Sequence, residues 1–175
     1  MRSIHFSRTS YQDSCKLSMN MMMNMVVSVG DSVEIICEEE GFWGAYYEAK
    51  ILAKKSNNNL LVEYKNLVTE KDEKVLLREI VEARRVRPVP PPVDVSEFNI
   101  LQKIDAFDND GWWEGRITKK LDDFNYSVYF ETSGDHLNYS IDRLRIHQDY
   151  VYGDWISSPT HNYSVFLNTE HLRCR

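Results

Sequence analysis

The chain has 175 residues, with 27 Asp and Glu against 21 Lys and Arg and a formal net charge of -6. That length suits one ordinary domain or two very small ones, and no apolar run approaches the length needed to span a bilayer as a helix. Cys15, Cys37 and Cys174 lie far apart with no Cys-x-x-Cys pair, which fits free thiols in a reducing compartment better than a disulfide framework.

Residues 1–27 are polar and Met-rich without helical or strand period, and are expected to form a disordered lead-in. The apolar run over 21–29 is broken by Asn24 and Ser28, and leads into no small-residue cleavage site of a signal peptide. Val29-Gly30-Asp31 opens a strand at Val33-Glu34-Ile35-Ile36, and Glu38-Glu39-Glu40-Gly41 reads as a loop. A second strand is predicted over 46–53, a turn at Ser56-Asn57-Asn58-Asn59, a third strand over 60–64, a charged loop over 69–74, a short strand at Val75-Leu76-Leu77, and a closing segment over 80–87. Pro88-Val89-Pro90-Pro91-Pro92 then cannot continue a sheet ladder and reads as a short, stiff linker.

The sequence beyond the linker repeats the sequence before it. Val33-Glu34-Ile35-Ile36 matches Ile104-Asp105-Ala106-Phe107, Tyr46-Tyr47 matches Trp112-Trp113, and Val62-Glu63-Tyr64 matches Val128-Tyr129-Phe130. Arg85-Val86-Arg87 aligns with Arg145-Ile146-His147. The order is constant and the offset slips only in loops, where insertions are tolerated. Alternation puts Tyr47, Ala49 and Ile51 on one face with Trp113, Gly115 and Ile117 as their counterparts, and leaves Tyr46 and Trp112 on the other, where they suit packing between the units. A unit of about sixty residues and four or five short strands must curl to bury a core and hide its edges. The expectation is an all-β protein of two small β-barrels: 1–27 lead-in, 28–88 first unit, 89–93 linker, 94–155 second unit, 156–175 tail.

The opening Val-Gly-Asp, the acidic Gly turns, Ala45-Tyr46-Tyr47-Glu48-Ala49 and Gly111-Trp112-Trp113-Glu114-Gly115 together resemble plant Agenet domains, Tudor-like members of the Royal superfamily. The resemblance covers roughly residues 28–155 and implies a tandem pair that reads methylated lysine on a histone tail, H3 above all, in plant chromatin and hence in the nucleus. It also implies where an aromatic cage would stand: the end of the first strand, the start of the second and the end of the third. In the second unit these positions are Phe107, Trp113 and Phe130, with Asp108, Asp110 and Glu131 as acids. In the first unit Tyr47 and Tyr64 fit, Ile36 departs from the pattern, and Phe42 or Trp43 would fill its place beside Glu38, Glu39, Glu40 or Asp72.

A methylated ammonium is bulky, cationic and weakly hydrated, and π faces hold it for about 0.5–2 kcal/mol per contact. The same aromatics also suit the core of a tiny barrel, so core and cage both stand open for each ring. Residues 93–155 carry 6 Lys and Arg against 13 Asp and Glu, a net of -7, which favours a basic partner over phosphate. RNA binding through Lys54, Lys55, Arg84, Arg85 and Arg87 is the rival reading, and a protein scaffold without methyl-lysine dependence is another. His5, His136, His147, His161 and His171 show no zinc-ligand spacing, and no nucleophile elbow or phosphate loop occurs. The expectation is a non-enzymatic protein needing no metal or cofactor, with neither membrane nor small-molecule substrate as partner.

Overall fold

The computed structural model describes residues 27–157. The expected lead-in, save residue 27, and the tail beyond residue 157 lie outside the described residues. Twelve strands follow in order: β1 (Ser32–Ile36), β2 (Tyr46–Lys54), β3 (Asn59–Thr69), β4 (Asp72–Glu82), β5 (Val86–Pro88), β6 (Lys103–Asp108), β7 (Gly111–Lys120), β8 (Asn125–Tyr129), β9 (His136–Ser140), β10 (Leu144–Ile146), β11 (Gln148–Val151) and β12 (Asp154–Ser157). The only helical turns among the described residues are two 3-10 turns, Ala83–Arg85 and Ile141–Arg143.

The strand order is β5-β1-β2-β3-β4 in the first half and β10-β6-β7-β8-β9 in the second, all neighbours antiparallel. Each half has its own apolar core, one around Ile35, Ile51, Leu60 and Val62, the other around Ile104, Ile117, Tyr126 and Val128. A ladder irregularity falls at the same place in both, after Ile51 in β2 and after Ile117 in β7. The alternation predicted for β2 holds: Tyr47, Ala49 and Ile51 are buried.

Closed barrels do not form. β4 pairs only with β3 and β9 only with β8. The 3-10 turn that follows each of these strands sends a three-residue strand to the opposite edge, where β5 joins β1 and β10 joins β6. Each half is therefore an open five-stranded sheet. The charged loop expected over 69–74 is also shorter. β3 and β4 run 11 residues each, and the reversal is closed by Thr69, whose hydroxyl bonds the Asp72 backbone at 3.0 and 3.3 Å. The apolar residues Val68, Val75 and Leu76 extend the ladder through the charges that suggested a loop.

The halves meet through their central strands, where Tyr46 at the start of β2 pairs with Trp112 of β7. These are equivalent positions, so the join has approximate twofold character. Around it lies a buried charged cluster built from equivalent residues. Glu34 is cross-strand from Arg87, and Asp105 from Arg145. Arg87 donates to Glu34 at 2.7 and 2.9 Å and stacks 3.3 Å over the Tyr46 ring. Arg145 donates to Asp105 at 3.0 Å, crosses to Glu34 at 2.7 and 3.2 Å, and stacks 4.1 Å over Trp112. His147 lies against Asp105 through Nδ1. The hairpin of β11 and β12 straps this cluster: the Gln148 carbonyl accepts from Arg87 at 3.0 Å, and its side chain donates to Pro91 at 2.9 Å in the linker. The pairing also corrects the repeat: Arg87 corresponds to Arg145, not to His147, because a different number of residues precedes the last strand in each half.

Candidate functional site

The turn between β6 and β7 builds the larger of two cups. Asn109 and Asp110 both take positive φ, 46° and 61°, a conformation that Asn and Asp tolerate and that reverses a hairpin in two residues. Three residues on, Trp113 donates its indole N–H to the Asp108 carbonyl at 2.8 Å. The Asp108 carboxylate accepts the Tyr139 hydroxyl at 2.8 Å. Asp108 thus fixes two rings, one through its backbone and one through its side chain. Phe130 meets Tyr139 edge on, with ring centres 6.0 Å apart. Trp43 reaches in from the loop between β1 and β2 of the other half, so the cup is assembled from both halves. It holds about 460 Å³ and opens to solvent, and its lining carries the carboxyl groups of Asp108 and Asp135 and the phenol of Tyr139, with no Lys or Arg. Burial, and then the Asp108 hydrogen bond, push the Tyr139 phenol well above its ordinary range and keep it neutral.

A smaller cup of about 270 Å³ lies in the first half, lined by Phe42, Tyr47, Tyr64, Leu67 and Leu77 among others. Asn109 borders both cups, and Phe42 stands 6.2 Å, ring centre to ring centre, from Trp113. Tyr64 donates to Glu79 at 2.5 Å, and Arg85, which also lines the cup, donates to the Ile36 carbonyl at 3.1 Å and approaches Glu79 at 3.5 Å. Burial pushes the Tyr47 phenol up to about 12. Tyr47 packs across the halves onto Gly111, where a Cβ would come within 2.9 Å of its ring, so only glycine admits that approach.

Of the residues singled out in sequence for the second unit, Trp113, Phe130 and Asp108 come together. Phe107 does not join them. It faces away from the cup, with its ring 5.0 Å from Trp112 and Arg143 5.7 Å above it. Period two places Ala106 on the core side and Phe107 opposite. Asp110 lies on the turn outside both cups, and Glu131 pairs with Arg116 at 3.0 Å beside a third hollow next to Trp43. In the first unit Phe42, Tyr47, Tyr64 and Glu39 line the small cup, whereas Trp43 lines the large one. Glu38 is spent on Arg84 at 2.6 Å, Asp72 caps the β3–β4 turn, and Glu40 lines neither cup. Tyr139 and Asp135 were missed. The available signal was alternation in His136-Leu137-Asn138-Tyr139, which puts Leu137 and Tyr139 on one face.

The arginines considered for RNA are engaged within the protein. Arg84 pairs with Glu38 and Glu82, Arg85 with Glu79, and Arg87 is buried against Glu34. Among the described residues no group of three or more His, Cys, Asp or Glu is placed to hold a metal, and no helix is long and apolar enough to cross a membrane.

A repeated five-stranded unit with ring-lined cups at the seam defines a peptide-interaction module of Tudor-like type. The Agenet domain profile matches residues 30–91. The chain is 41% identical over 132 residues to Protein AGENET DOMAIN (AGD)-CONTAINING P1 of Arabidopsis thaliana, covering 75% of this chain and 25% of that protein. It is 35% identical over 141 residues to DUF724 domain-containing protein 3 of the same plant, covering 77% and 20%. It thus spans a quarter or less of the length of these relatives. The crystal structure of Arabidopsis thaliana AGDP1 AGD34 superimposes with a TM-score of 0.75 at 31% identity, over 80% of this chain and 95% of that one. That of ADCP1 tandem Agenet domain 3-4 gives 0.72 at 30%, over 80% and 94%. The chain belongs to the Agenet domain family, whose members are protein and peptide interaction modules, commonly of chromatin-related proteins.

Proposed function

We propose that the chain is a non-enzymatic reader of methylated lysine on a basic, histone-type tail, with H3 as the leading partner and the nucleus as its place of action. Its two halves, 28–88 and 94–155 with the linker 89–93, act as a tandem Agenet pair. The observation that carries this reading is the large cup: Trp43, Trp113, Phe130 and Tyr139 around a solvent-open hollow with Asp108 and Asp135 and no cation in its lining. A methylammonium entering it meets π faces and carboxylates together, and flanking Lys and Arg of the peptide meet an acidic second half. One cup and a shallow groove supply about 7–9 kcal/mol, a micromolar affinity. The engaged arginines speak for a peptide over RNA.

Calorimetric titration of the full chain with matched basic peptides, unmodified or trimethylated at one lysine, tests this. Methylation is expected to tighten binding by about tenfold or more. Equal binding of both peptides would reduce the chain to a methyl-independent scaffold, and retention of RNA alone would favour the nucleic-acid reading.

A further inference from the structure

β4 ends the sheet of the first half, and among the described residues it pairs only with β3. Its backbone groups alternate in direction. The Ala83 amide donates to the Asn58 carbonyl at 2.8 Å, and from that bonded pair the antiparallel ladder runs on through Val81 opposite Leu60 and Glu79 opposite Val62. Arg78, Ile80 and Glu82 lie between these bonded positions, so their N–H and C=O groups point away from β3, along the free edge. Their side chains share the outer face of the sheet, and none of the three lines either cup. Ile80 is 58% exposed. It stands opposite half-buried Leu61, which in turn stands opposite half-buried Ala53. The row Ala53, Leu61, Ile80 is thus an apolar stripe that crosses three strands and ends in water. Arg78 and Glu82 flank Ile80 two residues to either side, opposite in sign, with side chains 62% and 60% exposed. Their ion pairs within the chain, to Glu63 at 2.7 Å and Arg84 at 2.8 Å, lie at the surface, where such pairs are weak and readily exchanged.

We infer that this edge pairs with β4 of a second copy of the chain, antiparallel about a twofold axis at Ile80, so that two first-half sheets join into one. In that register Ile80 faces Ile80, Arg78 faces Glu82, and Glu82 faces Arg78. The outward backbone groups of all three residues meet as bonded pairs, two cross-strand pairs of opposite charge form, and the apolar stripe runs unbroken from Ala53 of one copy to Ala53 of the other. Centring the pair on residue 78 or 82 instead would set like charges face to face. Charged residues on an edge strand ordinarily repel other strands; opposite signs placed symmetrically about an apolar residue do so for strands in general, but fit an inverted copy of themselves. The equivalent edge of β9 offers His136, Asn138 and Ser140 at these positions, with neither the apolar centre nor the matched charges. Five residues from each chain make a contact at the small end of specific interfaces, with a dissociation constant on the order of 100 μM. The dimer would hold two large cups, whatever those cups bind.

Sedimentation equilibrium of the full chain from about 10 μM to 1 mM, with the single variants Arg78→Glu and Glu82→Arg and their equimolar mixture, tests this. The parent is expected to pass from the mass of one chain towards that of two. Each variant alone sets two like-charge pairs across the twofold axis and is expected to associate at least about tenfold more weakly. Mixing the two variants restores both opposite-charge pairs, and association should recover to within about threefold of the parent. Amide exchange of the parent gives a second reading without any substitution: the Arg78, Ile80 and Glu82 amides should slow about three- to fivefold as the concentration rises, while those of Glu79 and Val81, already bonded to β3, should not change. The mass of one chain at every concentration overturns the pairing. So does association that neither substitution weakens, which would place the contact on another face, and so do two variants with parental thermal midpoints that fail to recover on mixing. Should a variant misfold, the alternating amide protection of the parent decides, and its absence at 1 mM overturns the pairing equally.

Discussion

Trp43 is 63% exposed yet lines the large cup, which makes it a cleaner probe than the buried rings. Trp43→Ala is expected to change unfolding free energy by no more than about 0.5 kcal/mol while weakening trimethyl-lysine binding by about fivefold, the worth of one cation–π contact. Chemical denaturation and titration of the same variant separate the two. Phe107→Leu is the matching control: because its ring turns away from the cup, affinity should stay within about twofold of the parent. The mistaken place of Phe107 has a simple physical origin. Standing at the end of a strand does not say which face a residue takes; alternation does, and reading it outward from the buried Ile104 and Ala106 puts Phe107 on the far side. Tyr139 escaped for the opposite reason. Its strand is five residues long among His, Asn and Ser, too polar to show as a strand until the equivalence with β4 is known.

At the level of elements, β2 and β7 were legible because apolar or small residues alternate with charged ones over 47–51 and 113–117. The open sheet was not, since closure depends on where the three-residue strands β5 and β10 go after their 3-10 turns. The charged cluster was hidden as well: Glu34 and Asp105 read as ordinary polar positions of half-buried strands, and only the join of two sheets encloses them. That cluster sets the mutual placement of the halves, and so the position of Trp43 over the second half. Glu34 is fully buried and accepts from both Arg87 and Arg145. Replacing it by Gln keeps the volume but takes the carboxylate from Arg87 and leaves Arg145 with Asp105 alone, and is expected to destabilise by about 3 kcal/mol. Urea denaturation measures this, and a loss under about 0.5 kcal/mol would mean that water satisfies the arginines instead.

Across the whole molecule, the same cluster makes stability depend on pH. Burial opposes the charged form of His147, but hydrogen bonding to and attraction by Asp105 outweigh it, and its pKa is raised. Burial likewise opposes ionised Asp105, and His147 and then Arg145 hold its pKa down all the same. Lys103 also faces His147 and works against its protonation, while Glu114 and Asp149 lie 3.6 and 3.3 Å from Nε2. A raised histidine contributes stability that is fully present below its unfolded value of about 6.5 and is lost as pH rises through the folded value. A depressed aspartate contributes above about 3.9 and loses it as pH falls through its own folded value. Thermal midpoints should therefore fall on the alkaline side of pH 6.5, and His147→Gln should remove that fall and also weaken the acid limb, since Asp105 then loses the first of the groups that hold its pKa down. An unchanged alkaline limb in the variant would place the titrating group elsewhere.

Charge at the large cup is the quantity on which the reader function turns, and one comparison isolates it. Titrating the full chain with a trimethyl-lysine peptide, and with the same peptide carrying the neutral carbon isostere of that side chain, holds shape and apolar area constant and removes only the positive charge. Capture by π faces and the Asp108 and Asp135 carboxylates predicts that the neutral peptide binds at least about tenfold more weakly. Equal affinity for the two would show that the cup takes greasy bulk rather than a cation, and would contradict the proposal.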